Sequence, residues 1–531
     1  MINALTQTLR LARVAIVLAR HGALDSALPG ALPAPARGAL FLLRPLFARR
    51  LGAARDDAER GRRLCAAIAT LGPSYIKLGQ FLATRADIIG TDRARDLSQL
   101  QDRMDPFSEA EAWSALNAAF GAKAGELFGE LGTPVAAASI AQVHKTSVTE
   151  ADGSLRDIAV KILRPGIERR FARDLESFYF AARLAARLHP PARRLRPVEV
   201  VDMLARSVAF EMDLRMEAAA ISEVAENSAG DEGFRVPAVD WTRSSKRVLT
   251  LDWIDGIPLS DAAALAAAGH DLKRIAALLI QCFLRHAMRD GFFHADMHPG
   301  NLFVDARGNL VAVDFGITGR IGPKEQRFLA ELLWGFIRRD YHRIAEIHIE
   351  AGYVPGEYGV ATFAQAVRAI GEPLAGRRAD EISMARLLTQ LFQVTELFDM
   401  AARPELLLLQ KTMVVVEGVA RSLDPELDIW TTAEPVVRQW MEASLGPEGR
   451  LHEAAEGAVT LGRFVGQIPS LLARAENVAG MMSDMARSGV RLDDATVDAI
   501  ARARARRDRG GRIALWVAAL ALAAIAFNLV M

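Results

Sequence analysis

Between about Gly61 and Ala119 the hydrophobic and polar positions follow a helical pattern, with a break near Asp105-Pro106. From Thr133 to Leu163 the period changes. There PVAAASIAQVHKTSV, Asp152-Gly153 and LRDIAVKIL read as strand, turn, strand, hairpin and strand, since Asp-Gly between alternating apolar runs suits a tight hairpin. Pro197 to Ser228 predicts one long helix, and KRVLTLDWI a further strand. Beyond Leu259 the pattern is mainly helical, except for NLFVD and NLVAVDF on either side of an Arg307-Gly308 turn. The predicted fold class is α+β, with a helical extension, a small β-rich lobe and a larger α-rich lobe. The expected segments are 1–60, 61–120, 121–255, 256–440, 441–512 and 513–531.

The two ends follow different patterns. Ile513 to Met531 carries no charge, and as a helix it would reach ~28 Å, about the thickness of a hydrocarbon core. A C-terminal transmembrane helix is therefore expected, with Arg502, Arg504, Arg506, Arg507, Arg509 and Arg512 holding the preceding side in the cytoplasm. At the N-terminus Thr6, Arg10, Arg13, Arg20 and His21 form one stripe of an otherwise apolar helix. Such a helix suits an anionic membrane surface or a packed position on the body with a solvated basic edge. Leu28 to Arg37, with Pro29, Pro33 and Pro35, reads as a linker.

Composition narrows the partners. The chain has 531 residues, too many for one core, with 65 Lys plus Arg against 64 Asp plus Glu. No global field points to nucleic acid or to acidic partners. Two cysteines, Cys65 and Cys282, far apart in sequence, fit reduced thiols rather than a disulfide framework.

Candidate chemistry concentrates in HADMHPGNLFVDARGNLVAVDFG, residues 294 to 316. Phosphoryl transfer needs a carboxylate near the nucleophile, an amide or carboxylate on Mg²⁺, and a second carboxylate bridging metal and phosphates. Asp296, Asn301 and Asp314 supply these, in the D-x-x-x-x-N and Asp-Phe-Gly forms of a kinase. His294 and His298 lack the Glu and the unbroken helix of a zinc site, so His294 is expected to orient the loop. Lys161 ends IAVK, where a kinase places its phosphate-holding lysine, and AFEMDLRMEAAA offers Glu211, Asp213 and Glu217 as acidic partners. On one helix Glu211 and Glu217 point about 120° apart and cannot both face Lys161. The loop expected to cover the phosphates runs Val135, Ala136, Ala137, Ala138, Ser139, Ile140, Ala141, Gln142, Val143, with alanine where glycine would allow close approach. In the front helices Lys77 and Gln80 share a face that composition alone would assign to solvent.

Taken together, K-x-G-Q at Lys77 to Gln80, the alanine loop, Lys161, Glu211-x-Asp213, Glu217, HADMHPGN and Asp314-Phe315-Gly316 resemble the UbiB family of atypical kinase-like proteins over nearly the whole chain. The resemblance implies a bilobal protein-kinase-like fold. It also implies that the K-x-G-Q segment folds over the site where a protein kinase admits peptide. Lys77, Gln80, Glu211, Asp213 and Asp296 would then act at the reaction centre. Glu217 would pair with Lys161 beside the nucleotide loop, and Asn301 and Asp314 would hold Mg²⁺ with ATP or ADP. The family implies ATPase activity in support of ubiquinone biosynthesis at the bacterial inner membrane, with membrane lipids, phenolic or prenylated quinone precursors and other ubiquinone-biosynthesis proteins as partners. A small-molecule or lipid phosphotransferase and a nucleotide-switched scaffold are the alternatives. Close bacterial relatives often carry two C-terminal membrane helices, whereas here GAVTLGRFVGQIPSLLARAENVAGMM is interrupted by Arg463, Arg474 and Glu476.

Overall fold

The structure is a computed structural model, and it describes residues 2–23, 56–372 and 404–445, apart from scattered positions in 84–103, 151 and 189–194, with a few more in 394–400. The described residues up to Met441 form one compact unit. Ahead of the lobes come α1 (Ile2–Arg20), α2 (Asp57–Leu71), α3 (Pro73–Ala83) and α4 (Thr91–Ser98). The small lobe is made by α5 (Glu109–Phe120), α6 (Ala124–Phe128), β1 (Pro134–Ala137), β2 (Ala141–Thr149) and β3 (Leu155–Leu163), followed by α7 (Ile167–Leu188), α8 (Pro197–Glu211) and α9 (Leu214–Asn227). Then come β4 (Phe234–Arg235), β5 (Val248–Asp252), β6 (Gly256–Pro258), α10 (Ala262–Ala267) and α11 (Leu272–Arg285). The large lobe continues with β7 (Phe292–His294), β8 (Leu302–Asp305), β9 (Leu310–Ala312), β10 (Thr318–Arg320), α12 (Pro323–Arg338), α13 (Tyr341–Glu350), α14 (Val360–Gly371), α15 (Pro404–Leu423) and α16 (Ile429–Leu445).

Strands β1, β2, β3 and β5 lie in that order in one antiparallel sheet. The two-residue period of β3 decides what the sheet offers to each side. Ile158, Val160 and Ile162 are fully buried against Leu116 of α5 and Phe128 of α6, so Lys161, between two of them, points to the opposite face. The hairpin expected at Asp152-Gly153 is present, with Thr149 opposite Leu155. In the large lobe β4, β9, β8 and β6 form a second sheet, and β7 pairs with β10. That last pair was not visible as alternation in the sequence, because three-residue strands show no period.

Two expectations are corrected. Pro197 to Ser228 is not one helix: α8 ends at Glu211, and Asp213 caps α9 by accepting the Arg215 N–H. A carboxylate placed to accept at a helix start favours ending one helix and opening another. The expected fold class also loses one element. No helix among the described residues is long and apolar enough to cross a membrane, and Ile513 to Met531 lies outside those residues. The kinase-like lobes and the front helices stand without the C-terminal span.

At the N-terminus α1 lies on α2 and α7, burying Leu18 and Ala23 with Leu64 and Ala67. Its polar contacts are also inward, since the Ser177 hydroxyl donates to Gln7 Oε1 at 2.6 Å and the Gln7 amide donates to Glu176 at 3.1 Å. Of the two placements the stripe allowed, this is the packed one.

Gly319 on β10 faces the buried Phe293 ring across the pair, so a Cβ there would run into that ring, itself stacked edge-on against Phe283. Gly319→Ala is expected to cost about 1–3 kcal/mol by overpacking. Gly418→Ala, on an exposed helical position with open space around it, should instead stabilise by about 0.5–1 kcal/mol. Urea unfolding of both variants checks the pair, and equal effects would refute the packing account.

Candidate nucleotide site

Three elements meet at Lys161. Its ammonium donates to both Glu217 oxygens, at 2.8 and 2.9 Å, and to Asp314 Oδ1 at 2.8 Å. Strand period aims Lys161 out of the small lobe, and the cap at Asp213 starts α9 so that Glu217 falls in its first turn. Asp314 is delivered from the large lobe at φ +60°, a left-handed conformation that aspartate tolerates better than most residues. Two residues on, a Cβ at Gly316 would stand 3.3 Å from Asp314 Oδ1, so glycine keeps this turn open.

Charge follows from this packing. Burial works against the Lys161 ammonium, but Asp314 and Glu217 outweigh it and hold the group above the usual lysine range. Burial pushes the Glu217 carboxyl up to about 7, with Lys161 pulling down and Asp314 pushing up. Asp314 is held below the usual carboxylate range: burial opposes its charge, and Lys161, helped by Lys77, overcomes that. Half of the Asp314 side chain still reaches solvent, so it is open to a ligand in the cleft.

The catalytic loop is organised from within. Buried His294 accepts the Asp296 N–H at Nδ1, 3.2 Å away, and so presents an Nε2 proton to Val313 O, also at 3.2 Å. One imidazole thereby ties the loop to the strand end that carries Asp314, the orienting role expected for it. Burial lowers this histidine, against the pull of Asp296 and Asp314, which keeps the neutral form this network uses. Asn301 donates through Nδ2 to Asp296 O at 3.1 Å, and its Oδ1 has no hydrogen-bond partner among the described residues. Asp296 keeps a part-exposed carboxylate, 3.9 Å from His298 Nε2. A free amide oxygen on Asn301 and a solvent-reached carboxylate on Asp314 are hard oxygen donors. They suit Mg²⁺, which takes one or two protein oxygens and completes its shell with phosphate and water.

The alanine loop is a tight turn, in which Ala138 N–H donates to Ala141 O at 2.8 Å and no residue from Val135 to Val143 takes a positive φ. Alanine is compatible with this path because the backbone never enters the region reserved for glycine. Val135 and Ala136 are exposed, Ala137, Ala138 and Val143 are half-buried, and Ser139, Ile140, Ala141 and Gln142 are buried. Gln142 faces inward, where Oε1 accepts the Phe107 N–H at 2.9 Å and Nε2 donates to His144 Nε2 at 2.8 Å. Arg164, not singled out from the sequence, donates to Ala138 O at 2.9 Å and Asp105 O at 2.8 Å. The loop is thus strapped to the chain that comes from the front helices.

Those helices supply the next wall. On α3, Ile76 and Gly79 are buried on one face, while Tyr75, Leu78 and Phe81 pack on the main core, Tyr75 edge-on to Phe178 at 5.1 Å. Lys77 and Gln80 occupy the remaining stripe, and Lys77 Nζ pairs with Glu211 Oε2 at 2.6 Å, both side chains largely buried. The break at Met212-Asp213, rather than an angle around one helix, lets Glu211 meet Lys77 while Glu217 meets Lys161. Asp213 is held by Arg215, at 2.9 and 2.7 Å, which keeps its carboxyl below the usual range, and Gln80 is half-buried beside Lys77.

A lysine between two carboxylates, an ordered D-x-x-x-x-N loop and an aspartate from the following turn define a kinase-like protein, with extra helices in front of its lobes joined to it through Lys77 and Glu211. Residues 99–348 match the ABC1 atypical kinase-like domain and residues 367–428 the UbiB helical domain. The chain is 40% identical over 453 residues to a probable protein kinase UbiB of Marinobacter nauticus, covering 84% of this chain and 81% of that one. It is 39% identical over 456 residues to the protein so named from Xanthomonas axonopodis pv. citri, with the same coverages of 84% and 81%. A Mycobacterium tuberculosis protein solved with erythromycin is 24% identical, at a TM-score of 0.47 over 71% of this chain and 95% of that one. The chain belongs to the UbiB family.

Because the Asp314 carboxyl is depressed in the folded state, its stabilisation is fully present above the unfolded value of about 3.9 and is lost as pH falls through the lower folded value. Asp314→Asn keeps a residue that accepts positive φ and removes this share. The stability gap between wild type and variant should shrink as pH falls below about 4, as urea unfolding across pH will read. A gap that widens on acidification would contradict the assignment.

Proposed function

We propose that this protein hydrolyses ATP, and that the turnover supports ubiquinone biosynthesis by changing access to lipid-soluble phenolic precursors. The observation that carries the reading is the Lys77–Glu211 pair at 2.6 Å. It holds α3 beside a phosphoryl site whose Asp314 carboxyl feels the Lys77 charge. With that wall in place a folded peptide has little room, while water reaches Asp296.

The chain's own residues divide the work. Lys161, oriented by Glu217, holds the α- and β-phosphates after releasing Asp314. Asn301 and Asp314 would hold Mg²⁺, which when bound neutralises the β- and γ-phosphate oxygens. Asp296 orients a water and accepts its proton as the water oxygen bonds to the γ-phosphorus. The bond to the bridging oxygen breaks, its electron pair leaves with ADP, and inorganic phosphate is the second product. The backbone of Ala136 to Ala138 covers the nucleotide, and Gln80 and Asp213 support the wall formed by Lys77 and Glu211. The phenolic precursor, a prenylated quinone precursor in a bacterial membrane, is expected at the mouth of this wall, where other ubiquinone-biosynthesis proteins would receive it.

Asp296→Asn is expected to lower phosphate release from Mg·ATP by about 100-fold or more, through loss of the general base, with ADP affinity within twofold of wild type. Purified protein with phenol-loaded vesicles provides the assay. Unimpaired hydrolysis by the variant, or none by wild type, would sink the reading. In a deletion strain complemented with the variant, accumulation of an early prenylated phenol would place the function in the pathway, and a normal quinone profile would remove it.

A further inference from the structure

Phosphoryl transfer spreads negative charge over the three outer oxygens of the γ-phosphoryl group, and a kinase-like site needs a cation there. The two lysines already described are engaged, Lys161 by Glu217 and Asp314 and Lys77 by Glu211. Between Asp296 and Asn301 the loop reads Met297, His298, Pro299 and Gly300, so it contributes no permanent positive charge. Helix α15 of the large lobe, within the UbiB helical domain, brings one. It packs on α11 and β10, and the buried Thr412 hydroxyl donates to Ala295 O at 3.2 Å, one residue before Asp296. The adjoining Lys411 makes no ion pair or hydrogen bond among the described residues.

We propose that Lys411 is a catalytic residue whose ammonium binds the γ-phosphoryl oxygens above Asp296, with the Thr412–Ala295 hydrogen bond setting its position. The placement is supported by the lysine's surroundings: part of its side chain reaches solvent, while burial lowers its proton affinity and Asp296 is near enough to pull it back up. In the transfer step written above Lys411 moves no proton. It offsets charge as the bond to water forms and the bond to ADP breaks. The inference rests on the ATP-hydrolysing reading and adds to it a role for the helical domain, which completes the reaction centre instead of merely packing beside it.

The test uses the full chain, Mg·ATP, Mg·ADP and Mg·ADP with aluminium fluoride as a probe of the transferring group. Lys411→Ala should bind Mg·ADP within twofold of wild type, turn over about 100-fold more slowly, and hold the aluminium fluoride complex at least tenfold less tightly. Added methylammonium should restore part of the lost rate, which a purely structural role would not allow. Turnover within threefold of wild type overturns the proposal, as does a parallel loss of Mg·ADP and aluminium fluoride affinity without amine rescue. If wild type itself releases no phosphate, the ATPase reading fails separately. Lys411 is then judged on the aluminium fluoride complex alone, and equal tightness in variant and wild type overturns it.

Discussion

Lys161 holds the two lobes to a common geometry because its partners come from both sides of the cleft. Glu217 belongs to a helix packed under the small sheet, and Asp314 to the turn that leaves the large lobe's β9. Two carboxylates around one ammonium leave a net negative charge in a partly dry site, a state that electrostatics tolerates poorly unless further positive charge is near. Lys77 helps supply it, since its field helps keep Asp314 ionised while its own ammonium is tied to Glu211. The front helices and the kinase-like lobes therefore share one electrostatic unit.

Much of this was legible in the sequence wherever a residue's role is local. The alternation in IAVK predicts which way Lys161 faces, and the Asp-Gly turn predicts the hairpin that puts it there. D-x-x-x-x-N and Asp-Phe-Gly predict a loop and a turn that lie close together in the sequence. Roles set by contacts between distant segments were not legible from residue pattern. Lys77 and Gln80 look like a solvated face until Tyr75, Leu78 and Phe81 are seen to occupy one side of the helix and Ile76 the other. Resemblance, not periodicity, supplied that placement. The break after Glu211 was missed because EMDLRME has good helix formers on both sides, and only the cap at Asp213 shows that two helices meet. Thr412 and Lys411 lay in a run of leucine and valine whose helical pattern says only that the segment is buried.

The alanine loop shows how a substitution in composition is absorbed by backbone. Glycine in such a loop provides positive φ and close approach. Here the turn closes with ordinary φ values, and its rigidity comes from outside: Arg164 grips one carbonyl of the loop, and the Met104 N–H donates to Ala137 O at 3.1 Å. Gln142, at a position expected to face nucleotide, spends its side chain on Phe107 and His144. Any rearrangement of the chain between the front helices and α5 must therefore move the alanine loop with it. Because the same front helices carry Lys77, the alanine loop and the Lys77–Glu211 pair are mechanically joined.

On the function proposed above, joining these parts would favour a small acceptor. A protein kinase leaves one side of its phosphoryl site open and makes the acceptor part of the binding energy. In this chain the Lys77–Glu211 pair holds α3 against α8 with both members largely buried, and separating them would leave a charge without its partner in a poorly solvated place. Breaking such a pair costs about 3–5 kcal/mol, more than a weakly held peptide segment returns by contact alone. Water needs no such opening. A ligand that does displace the wall must compensate for the lost pair by burying apolar surface, and a long prenylated phenol has that surface to offer. On the function proposed above, the same cost would disfavour peptides and make the wall responsive to a lipid-soluble molecule, with that response coupled to the charge on Asp314.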